Sequence, residues 1–153
     1  MYDLTQTNNT PSTAPVTRND DNEDYIVNLT SAKRSYSSLP TNTMEEKAIA
    51  YNAMNNPAHR ISEMINREIC IKDIYVETVE CVNEKDGTVA VCPRIVLVDT
   101  NGEAYSCVSV GMFGSLEKLI RVYGEPTWTD GILVEINQNK TRRGMNILTL
   151  KVK

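Results

Sequence analysis

The sequence predicts a mainly β fold with added helix: a small curled barrel of five antiparallel strands, one helix between the third and fourth, and a helical lead-in ahead of them. Three observations carry this. From residue 67 onward, runs of alternating apolar and polar residues are separated by turn signals. Between the third and fourth runs, Met112, Phe113, Leu116, Leu119, Ile120 and Tyr123 recur three and four apart and stop at Gly124 and Pro126. The first run changes phase once, Ile69 and Ile71 in one parity and Ile74 and Val76 in the other. A β-bulge near Lys72 and Asp73 produces such a slip, and a bulge bends a strand so that it can serve both sides of a barrel.

Taken in order, residues 1–42 are rich in Thr, Asn, Ser, Asp and Pro, with apolar residues scattered singly. Such a segment buries too little surface to offset its ordering entropy and reads as a disordered polar tail. Asp20, Asp21, Glu23 and Asp24 form an acidic cluster within it, either a solvated leader or an interaction peptide that competes for a basic groove. At residue 43 the composition changes. Thr43 with Glu46 three residues on is a capping box, Met44–Asn55 is rich in good helix formers, and Pro57 ends the run. A second short helix is expected over residues 58–65, with Ile61, Met64 and Ile65 on one side, completing a lead-in over 43–66.

The barrel then occupies residues 67–153. Residues 67–82 form the bulged first strand, and residues 83–87 turn. The next strand is broken by Pro93, which lacks an amide donor and belongs at a strand start or edge. Residues 94–99, the turn at Asn101-Gly102 and residues 103–109 make a hairpin. After the helix, Ile132, Val134 and Ile136 alternate with Leu133, Glu135 and Asn137, and Leu148, Leu150 and Val152 share one side of the last strand. Three meandering strands, a helix and two more strands is the order of an OB-fold, although a generic five-stranded α+β roll gives the same string.

The net charge of −4 argues against a wholly basic nucleic-acid binder, but the charge is segregated. From residue 138 onward Lys140, Arg142, Arg143, Lys151 and Lys153 meet no acid, a local sum of +5. The four cysteines contain no Cys-x-x-Cys pair and accompany a single histidine, so they read as free thiols and no metal or other cofactor is expected. No signal peptide is visible and no apolar run approaches the roughly 20 residues of a membrane span, so an intracellular protein without a membrane partner is expected. A phosphate loop is absent, because residues 111–114 lack the lysine, and Glu77 and Glu80 lie on opposite faces of a strand. No enzyme activity is expected.

In an OB-fold the loop between the fourth and fifth strands flanks the binding groove. Here it is residues 139–144, where Lys140, Arg142 and Arg143 would meet phosphates, although a charged hairpin tip also serves solubility. Bases stack on aromatic rings without regard to sequence, at about 1–3 kcal/mol per base. If Ile74 and Val76 face the core, Tyr75 faces outward, and Tyr105 on the third strand could stand beside it. Trp128 either stacks on a base or plugs one end of the barrel. Lys72, Arg94 and Lys151 are further candidates for backbone contacts.

With those residues in view, the chain resembles the single-stranded-DNA-binding proteins of small tailed bacteriophages, including those with protein-primed replication. The resemblance runs through residues 93–99, Asn101-Gly102, Tyr105, Ser109, the helix to Tyr123, residues 124–128 and residues 144–150, and the lead-in over 45–66 is similar to gut-phage members. It implies an OB-type fold, sequence-independent coating of displaced single strands during genome replication in the host cytoplasm, single-stranded DNA and phage replication proteins as partners, and no cofactor. One departure matters. The chain ends in a basic strand, residues 148–153, where several replication binders carry an acidic tail, so recruitment of partners from that end is not implied. The competing expectation, motivated by the negative total charge and the long polar tail, is a protein-interaction or virion-associated module on the same scaffold. Binding of structured RNA is a third reading.

Overall fold

The computed structural model describes residues 35–153. The tail over 1–34, with its acidic cluster, lies outside them. The described elements are β1 (Ser35–Ser37), α1 (Met44–Asn55), β2 (His59–Arg60), a 3-10 turn (Ile61–Met64), β3 (Glu68–Val82), β4 (Val89–Asp99), β5 (Ala104–Val108), α2 (Val110–Tyr123), β6 (Ile132–Lys140) and β7 (Asn146–Val152). The sheet order is β2-β5-β4-β3-β6-β7, with β1 on β3.

The result is mainly β with two helices: one curled, mixed sheet of seven strands that forms an open half-barrel. Strands β3 to β7 are the five expected from the alternation, each antiparallel to its long neighbours. Two short strands add to them because edges would otherwise stand unpaired. β2 lies parallel to β5, with His59 opposite Tyr105, and β1 lies antiparallel to β3, with Ser35 opposite Glu77. Residues 35–42 were expected in the tail by composition. Instead Leu39 is buried, and the Ser38 hydroxyl both donates to Asp73 Oδ1 at 2.9 Å and accepts from the Ile74 amide at 3.0 Å.

The phase slip in β3 is a real bulge. Its register against β4 shifts between Ile71 and Asp73. Before the shift β3 pairs with β6, and beyond it the same edge receives β1. Asp73, 3% exposed at the bend, also accepts from the Thr127 hydroxyl, so one carboxylate ties together the chain after β1, the bend and the chain after α2. β4 is continuous through Pro93. The Pro93 carbonyl accepts from the Ser109 amide, so its imide nitrogen faces the edge past β5 and no ladder bond is lost.

The inner face of the curl buries Ile69, Ile71, Ile74, Val76, Ile95 and Leu97 against α2. That helix has the expected limits, capped by the Ser109 hydroxyl at the Met112 amide, and its stripe of Met112, Phe113, Leu116, Leu119 and Ile120 is buried. Tyr123, expected on that stripe, is the last residue of the helix and is exposed. α2 covers the side where β5 and β7 do not pair, and Gly111 permits the approach: a Cβ there would stand 3.0 Å from the Leu148 carbonyl.

On the outer face, Val96, Val98 and Ala104 are covered by Leu39 and by Ala50 and Ala53 of α1. The capping box of α1 forms as expected, with the Thr43 hydroxyl accepting from the Glu46 amide and the Glu46 carboxylate from the Thr43 amide, both at 3.0 Å. The second helix expected over 58–65 is shorter: residues 59 and 60 are drawn into β2, and only the 3-10 turn remains, its Ile61 fully buried. No helix among the described residues is long and apolar enough to cross a membrane.

Candidate nucleic-acid interface

The turn between β6 and β7 is built to be presented. Residues 137–140 pair one for one with residues 146–149. The chain reverses through the Thr141 amide on the Met145 carbonyl at 2.8 Å and the Gly144 amide on the Thr141 carbonyl at 2.9 Å. Gly144 takes φ 81°, a left-handed conformation that a side chain would resist. Lys140, Arg142, Arg143 and Met145 are all exposed on it. Among the described residues no acid stands within ion-pair distance of the three cations, which is the condition for meeting phosphate oxygens.

The other C-terminal cations are engaged or opposed. Lys153 Nζ reaches Glu135 Oε1 at 3.6 Å and Glu68 Oε2 at 3.8 Å, and Lys151 stands directly across the ladder from Glu135. The local sum of +5 thus narrows to three free charges at the tip.

The aromatic half of the expectation is corrected. Tyr105 does not face outward. It pairs with Leu97 on the inner side, is 9% exposed, stacks on the His59 ring with centroids 5.0 Å apart and donates its hydroxyl to Asp99 Oδ2 at 3.1 Å. Burial and that carboxylate raise its pKa to about 12. Trp128 is also 9% exposed in the core cluster, its indole N–H on the Gly124 carbonyl at 3.1 Å, so it plugs the sheet and offers no open face. Tyr75 does face outward, but half-buried beside α1, with its hydroxyl on Glu77 Oε1 at 2.9 Å; burial first and Glu77 second raise its pKa to about 12.

Arg94 joins Tyr75 in that cluster and not in a phosphate path. Its Nη1 donates to Glu77 Oε2 at 3.0 Å and to the Met54 carbonyl of α1 at 3.1 Å, which pins the end of the helix over the outer face. Lys72 lines a cavity of about 240 Å³ together with Glu46, Asp73 and Asp99, whose negative field would oppose a phosphate. The structure therefore gathers Lys140, Arg142 and Arg143 in one place, joins Tyr75 to Arg94 in a second, and keeps Tyr105, Trp128, Lys72 and Lys151 apart from both.

Sequence reasoning missed the covering of the outer face by α1. A helix that packs through two alanines leaves almost no amphipathic signal. It also missed Met145, an apolar tip beside the arginines that the turn pattern itself would have exposed. All four cysteines are free thiols in strands, and no cluster of His, Cys, Asp or Glu among the described residues could hold a metal ion.

Comparison with known proteins supplies what the geometry alone does not. The family model described as Phage Single-stranded DNA-binding protein matches residues 29–153. No curated protein and no solved structure matched the chain.

Proposed function

The chain belongs to the phage single-stranded DNA-binding protein family, and from that premise we propose that it coats single strands displaced during genome replication, holding them without sequence preference. The family match carries the reading, and the unpaired cations of the β6–β7 turn supply its chemistry. Lys140, Arg142 and Arg143 contact phosphates, which are the same for every sequence. We assign the half-barrel to the OB class on the order of its long strands, β5-β4-β3-β6-β7, and on α2 lying where β5 and β7 would otherwise close. Base contacts are assigned to Tyr75 and Met145, with Tyr75 reached once the edge of α1 yields. No catalytic step enters this role. Its setting is the infected host cell, with replication proteins as the natural neighbours.

Fluorescence titration of the full chain with oligo-dT at two salt concentrations tests it. Affinity should fall with salt at a slope of about −0.7 per phosphate neutralised, and Arg142→Ala with Arg143→Ala should flatten that slope. Absence of saturable binding at low salt would remove the reading. Tighter binding to RNA of equal sequence would replace it with the RNA one.

A further inference from the structure

The edge of β6 that faces away from β7 changes character along its length. The Leu133 carbonyl accepts from the Lys153 amide at 3.0 Å, and past the strand the Thr141 amide donates to the Met145 carbonyl at 2.8 Å. The odd-numbered residues of β6 therefore bond across to β7, and the even-numbered ones point their amides the other way. On that side Ile132 and Val134 meet β3. Ile136 meets the link that leads into β3: its carbonyl accepts from the Asn66 amide at 2.7 Å and its amide donates to the Arg67 carbonyl at 3.0 Å. Gln138 and Lys140 come next on the same edge, and among the described residues their amides have no partner. Two aligned donors thus stand between Arg67 and the basic turn.

Arg67 holds its place in the fold through its backbone, which leaves the guanidinium available. It is exposed, and among the described residues no acid lies within ion-pair distance of it. Glu63, on the same link, turns its carboxylate back to the Arg60 amide at 3.3 Å. Glu68 and Glu135, opposite each other where β3 begins, share Lys153 at 3.8 and 3.6 Å. Between Ile136 and Lys140 the side chains are Asn137, Gln138 and Asn139, which bring donors and no charge. That span is about 13 Å of strand, with a cation at each end and no acid along it.

We propose that a single strand held at the β6–β7 turn continues along this edge of β6 to Arg67, its phosphates taking the Gln138 and Lys140 amides on the way and the Arg67 guanidinium at the end. The path rests on the DNA-binding reading and gives it a direction and a second anchor. Backbone amides and a guanidinium meet phosphates whatever the base, so the track reads no sequence. An open sheet edge also attracts other β-strands. Here only Gln138 and Lys140 offer ladder bonds, too few to hold a strand, while charge waits at both ends for a polyanion.

Titration of the full chain with oligo-dT across a salt series, joined to residue-resolved amide exchange, tests the path. Arg67→Gln should weaken binding and flatten the salt slope by about 0.7, the share of one phosphate, with the thermal midpoint unchanged. Arg67→Lys should restore the slope. Lys118→Gln, which removes a cation exposed on α2, should leave it as it was. In the unaltered chain the Gln138 and Lys140 amides should exchange fast when free and slow on oligo-dT. An unchanged slope in Arg67→Gln, an equal loss in Lys118→Gln, or edge amides that exchange alike with and without oligo-dT would overturn the path. So would chains that associate without DNA and separate in the Arg67→Gln variant, because the edge would then belong to a second copy. If the unaltered chain shows no saturable binding at low salt, the DNA reading falls and the path with it; binding that ignores Arg67 removes the path alone.

Discussion

The β3–β4 and β6–β7 hairpins both end in glycine-closed turns, yet one tip carries Glu84 and Asp86 with valines behind them and the other Lys140, Arg142 and Arg143 beside Met145. The molecule's net charge of −4 is the sum of such opposed regions and describes neither. The contrast teaches that charge decides a partner only where it is left unpaired. Arg94 is as cationic as Arg142, but it is spent on Glu77 and on the Met54 carbonyl, while no described acid approaches Arg142.

The largest effect should come from the basic tip. Replacing Arg142 and Arg143 with Ala should flatten the salt slope of oligo-dT binding by about 1.4, whereas Glu84→Ala with Asp86→Ala should leave short-oligomer affinity unchanged or slightly tighter. Equal losses from both pairs would break the contrast between the hairpins.

Arg94→Ala sharpens it from the other side. It leaves the half-buried Glu77 with the Tyr75 hydroxyl but without its cationic partner and frees the end of α1, so thermal unfolding should show a loss of about 1–2 kcal/mol with the salt slope unchanged. A flattened slope would mean that Arg94 reaches DNA after all. Thr43→Ala removes the cap of the same helix and should cost about 1 kcal/mol, measured by denaturant unfolding, again without touching the slope.

The smallest effect is the alkaline limit set by Tyr105. Its folded pKa of about 12 lies above its ordinary value near 10, so the protonated phenol contributes stability that is fully present below about pH 10 and lost as pH rises to about 12. Tyr105→Phe should therefore lower stability at neutral pH modestly and weaken its decline across that window, as read by denaturant midpoints. An unchanged decline would place the alkaline sensitivity elsewhere, in groups such as Tyr36, whose pKa burial and Glu125 also raise.

Much of this architecture was legible in the residues. Thr43 with Glu46 marked the start of α1, Gly124 marked the end of α2, and the parity change at Lys72-Asp73 marked the bulge, because caps and alternation are local physics. The arrangement of faces was not. In a five-residue strand such as β5 both parities hold apolar atoms, so the direction of Tyr105 is decided by its partner Leu97 across the ladder. Likewise Ala50 and Ala53 read only as helix formers, and their role over Val96 and Val98 emerges from tertiary packing. The basic turn was found because an exposed hairpin tip needs no partner to define it. The engagement of Arg94 and Lys153 went unseen because Glu77, Glu68 and Glu135 lie far from them in sequence.

Amide hydrogen exchange of the full chain with an oligo-dT that holds a single copy tests the central claim most directly. Protection should appear over residues 139–147 and be absent from residues 83–88. Protection confined to the β3–β4 hairpin, with the β6–β7 turn exchanging as in the free protein, would contradict it.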